Sequence, residues 1–184
     1  GMICASEQAV IIDKEIYEEA IEEFKKFGVY FANKAEKKKL EAYMFGVTKK
    51  EECASAKLNP NIVGKAATWI AHEAGFEVPA NTVIIVVECA SVGVEEPLTR
   101  EKLSPVLAML KANSTEEGLM LSKQMVEFNG LGHSAAIHTA SKELATRFGD
   151  SIPAIRVIWN SPSTFGGIGN VYNSFIPVSY THLR

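Results

Sequence analysis

Cysteine is scarce in this chain: three residues in 184. Cys4, Cys53 and Cys89 lie far apart, form no Cys-x-x-Cys pair and are odd in number. Neither a disulfide framework nor a metal site is indicated, and a reducing, cytoplasmic setting is expected. Long apolar runs are missing too. The longest aliphatic stretch, residues 83–87, falls well short of the roughly 20 residues that cross a bilayer. The first residues have neither the basic start nor the cleavage region of a secretory leader. Charge of one sign is not in excess either, with a net charge of -3 and a pI near 5.9. That excludes a strong pull toward a nucleic-acid backbone. The one basic run, Lys37-Lys38-Lys39, is flanked by Glu36 and Glu41 and reads as a solvated helix face. Neither nucleic acid nor membrane is an expected partner.

What is present is ordinary for one compact domain: 47% hydrophobic and 22% charged residues. Apolar spacing predicts a strand over residues 9–12, then a helix over 15–27 capped by Asp13 and stopped by Gly28. Further helices are expected from about residue 33 past 43 and over 62–74, where Gly75 gives a left-handed stop and Pro79 prevents continuation. Residues 83–87 are β-branched and aliphatic without alternation, the mark of a strand covered on both faces. Ser114-Thr115-Glu116-Glu117 is a capping-box pattern opening a helix to about residue 128. Strand, helix and strand then recur over 135–138, 142–148 and 154–159. This alternation predicts an α/β fold, a three-layer domain with a mostly parallel sheet and no internal repeat. Functional loops are expected at the carboxyl ends of its strands.

Chemistry is concentrated in a few places. Cys4 stands in Gly1-Met2-Ile3-Cys4-Ala5-Ser6-Glu7-Gln8, a turn of small and polar residues before a buried strand. A thiol attacks carbonyl carbon as its thiolate, which needs access and nearby donors or cations, and this edge can offer both. Glu101, in Glu101-Lys102-Leu103-Ser104-Pro105, is a carboxylate before a turn pinned by proline. His133 follows Gly130-Leu131-Gly132, a tight turn entering a strand, and is placed to act as a base. Gly166-Gly167-Ile168-Gly169 is glycine-rich but lacks the dinucleotide spacing, so no phosphate cradle is inferred. Cys53 and Cys89 are assigned to packing or surface roles, and His72, His138 and His182 to structural ones. No metal ligand set is expected.

Residues 1–8, together with the Glu101, Gly130-to-His133 and Gly166-to-Asn173 motifs, resemble the coenzyme A-acylating aldehyde dehydrogenases. They are similar in particular to the aldehyde dehydrogenase half of bifunctional aldehyde-alcohol dehydrogenases. The likeness spans residues 1–177, read as the catalytic domain, while 178–184 read as a tail foreign to the family. It implies a nicotinamide-binding domain ahead of Cys4, so that the 184 residues are expected to be a fragment, inactive or nearly so alone. It also implies roles. Cys4 is the nucleophile that forms a thioester and His133 the adjacent histidine, while Glu101 is the carboxylate that holds the nicotinamide ribose. Gly166, Gly167 and Gly169 shape the substrate channel. NAD is the implied cofactor and coenzyme A the co-substrate, with a small aldehyde, acetaldehyde foremost, as substrate. Homo-oligomers are expected of the full-length protein. Two other classes stay open: a non-catalytic folded or oligomerisation module, and a Cys-His acyltransferase or hydrolase using Cys4 and His133 without nicotinamide.

Overall fold

A computed structural model describes residues 2–3, 5–129, 131 and 133–168. Strand β1 (Ala9–Asp13) leads into helix α1 (Tyr17–Lys26), then β2 (Val29–Phe31), α2 (Lys34–Phe45), α3 (Ala67–Ala74) and β3 (Ile84–Glu88). After a long crossover come β4 (Val106–Ala112), α4 (Thr115–Asn129), β5 (Ser134–Ile137), α5 (Lys142–Ser151), β6 (Arg156–Trp159) and α6 (Ser163–Ile168). The first four strands form one parallel sheet in the order β1-β4-β3-β2, and β5 and β6 pair in parallel as a second.

Side-chain alternation divides the core. Ile85 and Val87 of β3, with Ala108 and Leu110 of β4, face Leu40 and Met44 of α2, Ile70 and Ala71 of α3 and Leu121 of α4. Val86 and Met109 point the other way, toward Tyr17, Ala20, Ile21 and Phe24 of α1. The unbroken apolar run of β3 is thus explained by cover on both faces. Helix α4 joins the two sheets, because Val126 packs with Phe148 of α5, with Ile152 just after that helix and with Ala135 and Val157 of the small sheet.

Local signals set most boundaries. Asn33 caps α2 in a capping box with Glu36, accepting from Ala35 N–H and Glu36 N–H at 2.9 and 3.0 Å. Helix α1 starts later than expected: Asp13 Oδ1 accepts from Glu15 N–H at 2.9 Å in a turn of its own, and the helix begins at Tyr17. Helix α3 starts at Ala67 rather than residue 62, because Gly64 takes a φ of +75°. Strands β2 and β4 go unassigned in the sequence reading. The first is three residues long, and the second, Val-Leu-Ala-Met-Leu-Lys-Ala, is built largely of helix formers. Pairing with β1 on one side and β3 on the other makes it a central strand.

Candidate functional site

The segment after Cys4 is held from three directions. Cys4 itself lies outside the described residues, as do Gly130, Gly132 and Gly169 and the tail 178–184. Residues 5–8 lead directly into β1, and Ser6 N–H donates to Ile3 carbonyl oxygen at 2.8 Å. Buried Ser163, the first residue of α6, donates from Oγ to Ala5 carbonyl oxygen at 2.8 Å and from its backbone N–H to Glu7 Oε1 at 2.8 Å. Lys102 donates from Nζ to Gln8 carbonyl oxygen at 3.0 Å and from its backbone N–H to Gln8 Oε1 at 2.9 Å. A cleft of about 490 Å³ lies alongside, lined by Met2, Ile3, Ser6, Gly64, Lys65 and Ser104 among others.

Glu101 is half-buried on the crossover between the 3₁₀ turn Pro97–Thr99 and β4. That crossover is pinned at its other end: Lys37 Nζ donates to Glu96 Oε2 at 2.6 Å and to Glu88 carbonyl oxygen at 2.9 Å. His133 is half-buried immediately before β5. Burial holds the imidazole below its ordinary pKa, the Arg156 guanidinium adds to the lowering, and the Glu101 carboxylate opposes it. His133 is therefore a neutral, proton-accepting ring at neutral pH, within electrostatic reach of Glu101. Arg156 is fixed in turn, donating from Nη1 to Ser134 Oγ at 2.8 Å across the β5–β6 pair.

The placement corrects one expectation. Gln8 enters β1, residues 101–105 enter β4 and His133 enters β5, so the cluster lies at the amino ends of these strands. Carboxyl-end loops follow strands, whereas here residues 5–8 precede one, and the long crossover carries Glu101 from the far end of β3 back to the start of β4. A second difference concerns Gly166 and Gly167, which belong to helix α6 rather than a loop. A Cβ on Gly166 would fall 2.2 Å from Ile158 Cδ1, so glycine lets the helix lie directly on β6.

The other thiols are in apolar surroundings. Burial pushes the Cys89 thiol up to about 12 and that of Cys53 upward, with Glu41 and Glu95 adding to the latter. Both are inert thiols at neutral pH. Exposed His72 is paired with Glu77, Nδ1 to Oε1 at 2.9 Å. Among the described residues no group of His, Cys, Asp or Glu is placed to hold a metal ion, and no helix is long and apolar enough to cross a membrane. The sequence reading missed Gln8, Lys102, Arg156 and Ser163. Lys102 was visible only as a neighbour of Glu101, since its burial follows from contacts across about ninety residues.

A parallel α/β domain brings residues 5–8 against the loop that carries Glu101, whose carboxylate lies within electrostatic reach of His133. No family model matches the chain. Relatives do. The chain is 65% identical over 178 residues to the aldehyde-alcohol dehydrogenase of Streptococcus pneumoniae serotype 4, covering 96% of this chain and 20% of that protein. It is 51% identical to aldehyde-alcohol dehydrogenase 2 of Entamoeba histolytica, again over 96% of this chain and 20% of the relative. Among solved structures, an acetylating aldehyde dehydrogenase from Geobacillus thermoglucosidasius superposes with a TM-score of 0.86 at 36% identity, covering 100% of this chain and 42% of that one. The chain belongs to the acetylating aldehyde dehydrogenases and corresponds to the aldehyde dehydrogenase region of the bifunctional aldehyde-alcohol dehydrogenases. It spans about a fifth of the length of those curated relatives.

Proposed function

We propose that this segment is the nucleophile-bearing domain of a coenzyme A-acylating aldehyde dehydrogenase, converting a small aldehyde such as acetaldehyde to its acyl-coenzyme A with NAD. The activity belongs to a longer polypeptide. The observation that carries the reading is the convergence of Ser163 and Lys102 on residues 5–8, with Glu101 one residue from that anchor and electrostatically coupled to His133.

In this reading the Cys4 thiolate adds to the aldehyde carbon, and the oxygen that becomes anionic is met by backbone donors, the Cys4 N–H foremost. Oxidation of the thiohemiacetal leaves a thioester on sulfur. The thiol of coenzyme A then takes the acyl group and releases the Cys4 thiolate. A nicotinamide, when bound, supplies the hydride acceptor. Glu101 fits the task of holding it: a half-buried carboxylate only accepts hydrogen bonds, two ribose hydroxyls donate them, and the loop beneath is anchored. Neutral His133 takes a proton from Cys4 or from the incoming coenzyme A thiol. The residue 166–169 segment shapes the acyl channel.

Cys4→Ala in the complete polypeptide tests this. Acyl-coenzyme A formation should vanish while NAD binding persists, and normal turnover would refute the nucleophile.

A further inference from the structure

We propose that Lys102 is a positioning residue for the reaction: its ammonium and backbone N–H lock the segment after Cys4 against the loop carrying Glu101, fixing nucleophile and cofactor-holding carboxylate relative to each other. The inference rests on the reading of Cys4 and Glu101 given above.

Lys102 is fully buried. Its ammonium donates to three carbonyl oxygens, those of Leu98 at 2.8 Å, Arg100 at 2.8 Å and Gln8 at 3.0 Å. Three donors meet three acceptors, which only the charged form can serve in full. A neutral amine would turn a lone pair on one carbonyl. Burial pushes the group down to about 8, while Cys89 and Glu101 oppose that fall. Among the described residues it is in no ion pair, so the backbone carbonyls compensate the buried charge.

The geometry joins two chain segments. Two of the ammonium contacts hold its own loop, from Leu98 to Arg100, directly before Glu101. The third reaches Gln8, whose side chain is taken by the Lys102 N–H. The same Gln8 carbonyl accepts from Ala108 N–H at 3.2 Å, where the β1–β4 pairing starts. Immediately after Lys102, Leu103 is held at a φ of +47°, a left-handed conformation uncommon outside glycine. Such a backbone persists where its surroundings over-determine it. An apolar side chain would fill the same space and keep the backbone N–H bond to Gln8 Oε1, yet would lose the ammonium that joins the Gln8 carbonyl to those of Leu98 and Arg100.

The test is Lys102→Met in the complete polypeptide, assayed for aldehyde oxidation with NAD and coenzyme A. Positioning predicts a fall in kcat of about 10- to 100-fold with a several-fold rise in KM for NAD, both per folded enzyme. A purely structural role lowers the folded amount and leaves KM unchanged. Gln8→Met removes the companion bond, from the Lys102 backbone N–H to Gln8 Oε1, and carries the test if Lys102→Met does not fold. Variants that keep kcat and KM for NAD within twofold overturn the proposal, as does lost activity at unchanged KM. Cys4→Ala run in parallel separates the failures: turnover there sinks the underlying reading, whereas an inactive Cys4→Ala beside a normal Lys102→Met sinks only the clamp.

Discussion

Ser163 donates its hydroxyl hydrogen to the carbonyl of Ala5 at 2.8 Å, across 158 residues of chain. Both residues are buried, so no water replaces the bond when it is lost. Helix α6 is thereby tied to the residue after the proposed nucleophile.

Ser163→Ala should leave the Ala5 carbonyl unsatisfied at a local cost of about 1–3 kcal/mol. Hydrogen exchange in the complete polypeptide reads this out as faster exchange of the amides of residues 5–8, with other strands unchanged. Equal protection in both proteins would mean that the contact does not hold the segment.

The environment of His133 gives a signed pH prediction. Its pKa is lowered by burial and then by Arg156, and raised by Glu101, so the base form persists below the ordinary range near 6.5. If His133 sets the acid limb of kcat/KM, Arg156→Met removes a cation and moves that limb to higher pH. Glu101→Gln removes an anion, moves the limb lower, and also raises KM for NAD. Superimposable acid limbs in the three enzymes would exclude His133 as the group responsible.

Close packing at Gly166 is testable without activity. An alanine there places Cβ 2.2 Å from Ile158 Cδ1 and 2.8 Å from its Cγ1, an overpacking expected to cost about 1–3 kcal/mol. Thermal unfolding should show a lower midpoint for Gly166→Ala and partial recovery when Ile158→Val is added. An undisturbed single variant would show that α6 can lift off β6 freely.

Much of the fold was legible because local signals agreed with tertiary ones. Gly75 closed α3, and the β-branched run at 83–87 announced a strand buried on both faces. Residues 106–112 were illegible for the opposite reason: Leu, Ala and Met favour helix, and only two flanking strands make the segment β4. Glu101 and His133 were found through motifs, yet their mutual electrostatic influence comes from a crossover and a turn about thirty residues apart. Lys102 reads as a surface lysine until the carbonyls of Gln8, Leu98 and Arg100 surround it. Burial of a charge is a property of the assembled core, not of the stretch that carries it.

The most direct measurement is mass spectrometry of the complete polypeptide after aldehyde and NAD are added without coenzyme A. An acyl mass should accumulate on the peptide containing Cys4 and disappear when coenzyme A is supplied. Cys53 and Cys89, whose thiols burial holds protonated, should stay unmodified. Acyl groups on either of those two, or none on Cys4 while turnover proceeds, would contradict a thioester at Cys4.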